Sequence, residues 1–232
     1  MKQNIIGSCL LAAGFWLLTV TAATAQTVHP SVSILGDSYS TFEGWLSPDS
    51  NAVWYHATPD AKRTDVKSVG ETWWYRLIRQ KGWKLEVNNS FSGATVCTSG
   101  YRDEDYSNRS FVNRALHLGS PDIIIVFGGT NDSWAGSPIG EFKYADWRRA
   151  DLCFFRPAMA CLLARLRERY PTAAVYVLSN DGLKTEVTSS MKTICEHYGV
   201  PMIQLKDIDK KSGHPSVKGM QQIADQVAAA LK

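Results

Sequence analysis

The residues able to carry covalent chemistry stand far apart in this chain. Ser38 closes the tight polar corner Gly36-Asp37-Ser38, directly after the apolar run 32–35, and His214 lies in Ser-Gly-His-Pro-Ser near the opposite end of the 232 residues. A serine hydroxyl is a weak nucleophile until a neighbouring base takes its proton during attack. An imidazole, ordinarily titrating near neutrality, can take that proton and later return it to a leaving group. The chemistry this pair offers is acyl transfer, provided the fold brings the two ends together. Each residue also has a plainer role open to it. Ser38 can cap a helical turn, and His214 can mark the entry to the last helix. His29, His56, His117 and His197 are weaker candidates, placed near the start, in an aromatic loop and in two expected helices. Asp37 reads as a stabiliser of its corner through backbone hydrogen bonds.

The elements that must position these groups follow from periodicity. Strands are expected at 32–35, 84–88, 123–127, 174–178 and 202–205. Helices are expected around 71–81, 111–118, from Pro157 to about Tyr170, over 185–198 and over 217–231. Pro157 suits a first helical turn, where its missing N–H costs nothing. Runs such as IIIVF and AVYVL are apolar throughout, as in strands covered on both faces. Strand alternating with helix in this way predicts a three-layer α/β/α sandwich around a five-stranded parallel sheet. Ligands of such sheets sit outside the carboxyl ends of the strands. There the sequence reads GDS, NSFSG, GGTND and, after the last strand, KDIDKKSGHP. Four polar corners thus converge on one edge. The segment DKKSGHP reads as an irregular loop.

The bulk properties narrow the setting. Lys2, the apolar run IIGSCLLAAGFWLLTV and Ala23-Thr24-Ala25 predict a signal peptide over 1–25. Residues 26–232 are then one domain, and the protein is expected to be periplasmic or secreted, with no stable membrane insertion after cleavage. The net charge is +3 with both signs interleaved, which gives no argument for a nucleic-acid partner. Cys97, Cys153, Cys161 and Cys195 remain, in a compartment that permits disulfides, and their pairing is open. No spacing of Cys and His suggests a metal.

Four blocks in order, GDSYS, NNSFSGAT, GGTND and SGHPSVKGM, make the chain resemble the SGNH (GDSL-type) hydrolase superfamily over its whole mature length. The resemblance implies the flavodoxin-like SGNH hydrolase fold and a serine esterase or acylhydrolase needing no metal and no organic cofactor. It implies Ser38 as nucleophile, His214 as base, and an oxyanion hole built from the N–H groups of Ser38 and Gly93 and the side-chain amide of Asn131. A glycine at 93 would let the backbone approach the substrate closely. Asn131-Asp132 alone reads equally as a turn. In one place the chain departs from the pattern. Most members carry an aspartate three residues before the histidine, and here that residue is Lys211. Asp209 is the preferred substitute, with Asp207 or a backbone carbonyl and a Ser–His dyad as alternatives.

The resemblance, the export signal and the aromatic content together imply a small-molecule or carbohydrate ester as substrate, an O-acetyl sugar foremost. Trp134, three residues past Asn131, is expected to wall the pocket, whereas Trp73 and Trp74 read mainly as core. Two alternatives stand beside this reading: a lysophospholipase or thioesterase, and a degenerate member that binds glycans without turnover.

Overall fold

The computed structural model describes residues 29–231, so the expected signal peptide lies outside the described residues. The elements run β1 (Ser31–Gly36), α1 (Trp73–Lys81), β2 (Lys84–Asn88), α2 (Phe111–Arg114), β3 (Ile123–Phe127) and α3 (Thr130–Ala135). They continue with α4 (Phe155–Arg169), β4 (Ala174–Ser179), α5 (Thr185–Tyr198), β5 (Met202–Gln204), β6 (Lys210–Lys211), β7 (His214–Pro215) and α6 (Val217–Ala230).

Strands β1 to β5 form one parallel sheet in the order β2-β1-β3-β4-β5. This is the flavodoxin-like order, and β1 and β3 flank its switch point, where the chain leaves for opposite edges. Strand β3 shows why the sheet is covered twice. Ile124 and Val126 enter one core with α2, α4 and α5, while Ile125 and Phe127 enter the other with α1 and α6. A side-chain period of two sends successive residues to opposite faces, so a strand between two helical layers must be apolar at every position. Edge strand β2 has one better-solvated flank, and its Lys84 and Glu86 are exposed.

Three local features differ from expectation. Helix α2 ends at Arg114, one turn short. Asn131-Asp132 is neither loop nor simple turn but lies within α3, too short to show helical periodicity. The segment read as irregular before the last helix is an antiparallel hairpin, β6–β7, joined by Ser212-Gly213. Both turn residues have positive φ, 49° and 78°, as a two-residue type I′ turn requires, and glycine supplies the second without strain.

Candidate active site

The first corner is built by burial and capping. Asp37 accepts from the Tyr39 N–H at 3.0 Å and so caps the single 3-10 turn Ser38–Ser40. The capping role open to Ser38 is filled by its neighbour, which leaves the serine hydroxyl unused by the turn. Burial pushes the Asp37 carboxyl up to about 7. The corner is tied to the next loop by the Phe91 N–H, which donates to the Gly36 carbonyl at 3.1 Å. Arg114 also reaches it: Nη2 donates to Gly36 at 3.1 Å, Nη1 to the Asn89 carbonyl, and Nε to the Arg109 carbonyl at 2.7 Å. This buried guanidinium thus pins the ends of β1 and β2, and burial lowers its pKa to about 9.

The histidine arrives on the β6–β7 hairpin. His214 Nε2 stands 2.9 Å from Ser38 Oγ, and both residues are buried. Its Nδ1 lies 3.3 Å from the Ser212 carbonyl. A carbonyl can only accept, so Nδ1 carries the hydrogen and Nε2 presents its lone pair to the serine hydroxyl. That is the tautomer a general base needs.

Aromatic rings enclose this imidazole. Trp54 stacks on it with centroids 3.5 Å apart and planes 9° apart, and the Arg63 guanidinium lies 4.1 Å over the other face of the indole. Trp134 meets the imidazole edgewise at 5.8 Å and is 46% exposed, so it stands at the mouth of the site. Among the described residues no carboxylate bonds the ring, so desolvation dominates and brings the His214 pKa down to about 4; the Ser212 hydrogen bond opposes this and the Arg63 charge adds to it. The imidazole is therefore neutral, and able to accept a proton, well into acid.

The remaining two corners are tied to the first through Phe91, which bonds Gly36, and through Asn180, which reaches both Tyr39 and Thr130. Gly93 adopts φ +82°, and a Cβ there would point into open space. Its need for glycine is thus the backbone conformation; no neighbouring group of the chain crowds the position. Asn131 Nδ2 donates to the Ala94 carbonyl at 3.0 Å, and its Oδ1 accepts from the Tyr101 hydroxyl at 2.8 Å. These contacts fix which way the amide faces and leave its second N–H free. Asp132 accepts from the N–H groups of Val96 and Cys97, holding the Gly93 loop against α3, and burial raises its carboxyl to about 6. Among the described residues, the amides of Ser38 and Gly93 donate to no group of the chain. The arrangement offers a hydroxyl, an imidazole lone pair aimed at it, and unspent N–H donors on the adjoining corners.

Asp209 does not join them. Its carboxylate accepts from the Ser216 hydroxyl, its carbonyl from the Ser216 N–H, and its own N–H donates to Gln222. The cause is register. The hairpin pairs Lys211 with His214 and Lys210 with Pro215, which leaves Asp209 opposite Ser216, one pair beyond the histidine's neighbour. Asp207 is exposed, with φ 53°, and Lys211 donates to the Ala61 carbonyl at 2.6 Å. Of the alternatives, a carbonyl at the ring is the one the geometry contains. Trp73 and Trp74 are fully buried, as core. The four cysteines are free thiols. Sequence reasoning did not single out Tyr39, Tyr101, Arg63 or Arg114, and it passed over Trp54 as one aromatic among several. Of these only Tyr39 falls inside a motif, GDSYS, and only cross-chain contacts give any of them meaning.

The GDSL-like Lipase/Acylhydrolase family model matches residues 30–231. A candidate GDSL-like lipase from Bacteroides ovatus ATCC 8483 is 55% identical, with a TM-score of 0.86 over 88% of this chain and 98% of its own. A second, from Bacteroides uniformis ATCC 8492, is also 55% identical, with a TM-score of 0.86 over 88% and 96%. An acetyl xylan esterase from the rumen bacterium Butyrivibrio proteoclasticus shares the fold, at 17% identity and a TM-score of 0.56 over 88% of this chain and 64% of its own. Among curated proteins no match was found.

Proposed function

Since the chain belongs to the GDSL-like lipase/acylhydrolase family of carboxylic ester hydrolases, we propose that it is an exported serine esterase removing short acyl groups, O-acetyl foremost, from carbohydrates. The observation that carries this reading is the 2.9 Å approach of His214 Nε2 to Ser38 Oγ, with the Nδ1 hydrogen engaged by a carbonyl. His214 takes the hydroxyl proton as Ser38 Oγ bonds to the ester carbonyl carbon. The negative charge passes to the former carbonyl oxygen, which accepts from the N–H groups of Ser38, Gly93 and Asn131 Nδ2. Collapse breaks the bond to the alcohol oxygen, and His214 gives that oxygen its proton. Water then repeats the sequence on the acyl-serine, releasing the acid and restoring Ser38. Donors of this kind are worth about a hundred- to a thousand-fold in rate each.

The carbohydrate preference is supported by Trp134, whose exposed indole at the mouth suits the apolar face of a pyranose. The acetyl xylan esterase of the same fold adds to it. No helix of the described residues is long and apolar enough to cross a membrane. The test is direct. A fluorophosphonate probe should label Ser38, and Ser38→Ala should abolish hydrolysis of p-nitrophenyl acetate; undiminished turnover rejects the nucleophile. Acetylated oligosaccharides should be cleaved in preference to p-nitrophenyl esters of rising acyl length. The opposite order points to a lysophospholipase or thioesterase, and an inert protein retained on acetylated polysaccharide points to a binder.

A further inference from the structure

The hairpin that carries His214 is two residues long on each strand, and so short an isolated hairpin has little stability of its own. Among the described residues, no carboxylate bonds the ring. Yet the site needs the imidazole held to within a fraction of an ångström. The backbone on either side of the histidine supplies the anchor points. The Tyr39 hydroxyl donates to the Gly213 carbonyl at 2.6 Å, and the Tyr55 hydroxyl donates to the Pro215 carbonyl at 2.9 Å. Both tyrosines are fully buried, in the core shared by β1, β3, α1 and α6. Burial raises both phenol pKa values, so each remains a donor across the working range. Tyr39 is further fixed by Asn180, whose Nδ2 donates to its hydroxyl at 3.3 Å. The hairpin's contacts on its outer side, Lys211 to the Ala61 carbonyl and Ser212 Oγ to the Lys62 carbonyl, are exposed to water.

We propose that Tyr39 and Tyr55 are positioning residues that replace the missing triad acid, clamping the peptide groups on both sides of His214 so that the base is aimed through its backbone. The proposal rests on the serine-esterase reading. Tyr39 has a second consequence because it directly follows Ser38. Ser38 is bonded to Tyr39, Tyr39 holds Gly213, Gly213 is bonded to His214, and His214 meets Ser38. This closed circuit ties nucleophile and base to one rigid side chain. An acid at Nδ1 orients the ring alone, whereas this clamp fixes the whole residue and leaves the ring uncharged by any neighbour.

The test compares Tyr39→Phe and Tyr55→Phe with Tyr170→Phe, which removes a buried tyrosine hydroxyl that accepts from the Leu118 N–H at 2.9 Å elsewhere in the core. A misplacement of about 1 Å can cost about a hundredfold in rate. Each clamp variant should therefore lose about tenfold in kcat on p-nitrophenyl acetate, with KM within about twofold of the parent. A loosened, better hydrated His214 should also move the acid limb of kcat/KM up from about 4 toward 6.5. Tyr170→Phe should leave both unchanged, even where its melting temperature falls. If both clamp variants keep the parental kcat and acid limb, the clamp is overturned, and so it is if Tyr170→Phe reproduces their changes. Ser38→Ala, assayed alongside, separates that failure from failure of the esterase reading itself.

Discussion

Replacing Trp54 by alanine should move the pH dependence of the reaction more than it harms the reaction at alkaline pH. The indole covers one whole face of His214 at 3.5 Å and seats the Arg63 guanidinium on its far side. Desolvation is the largest cause of the depressed His214 pKa, about 4 against an ordinary 6.5. Trp54→Ala opens that face to water and unseats the cation, so both effects that favour the neutral ring weaken. A return of about two units, to near 6, corresponds to about 2.7 kcal/mol of differential stabilisation. At pH 5 the parent holds about nine-tenths of its base neutral and the variant about one-tenth, an additional loss of about tenfold. The assay is kcat/KM for p-nitrophenyl acetate from pH 4 to 8, read at the isosbestic wavelength of phenol and phenolate. Packing loss lowers the whole curve, whereas loss of the stack displaces its acid limb. A variant whose curve falls uniformly, with the limb unmoved, would refute the view that stacking against Trp54 sets the histidine's pKa.

The other expectations are simpler. Asn131→Ala should cost about a hundred- to a thousand-fold in kcat, and Tyr101→Phe, which only frees the amide to rotate, about tenfold. Asp209→Asn and Asp207→Asn should keep kcat within about twofold, while Asp209→Asn lowers the melting temperature by about 2–4 °C through its weakened bond to Ser216. Asp37 is raised from 3.8 to about 7, so its favourable contribution to stability is complete below about 3.8 and lost as pH rises through about 7. Asp37→Asn should accordingly flatten the decline in urea midpoint across that window. An unchanged slope would remove Asp37 from the account.

Much of this protein was legible in one dimension because its signals are local. Runs such as IIIVF and AVYVL state their own burial, and strands alternating with helical periods leave few arrangements besides a covered parallel sheet. Its strands all end on one side, so GDS, NSFSG and GGTND had to share an edge with the histidine loop, and Ser38 and His214 could be paired before any coordinate was known. Asp209 shows where that reasoning stops. Its distance in sequence from His214 permits contact, and only the hairpin register, set by a type I′ turn at Ser212-Gly213, turns its carboxylate to Ser216 instead. Of the groups that aim the base instead, Trp54 and Tyr55 stand outside every motif, while Tyr39 and Ser212 fall inside motifs that give no sign of this role. Side-chain type and spacing determine which elements form and which chemistry is available, because they act over a few residues. Which indole stacks on which imidazole, and which hydroxyl finds which carbonyl, is decided by the packing of elements distant in sequence.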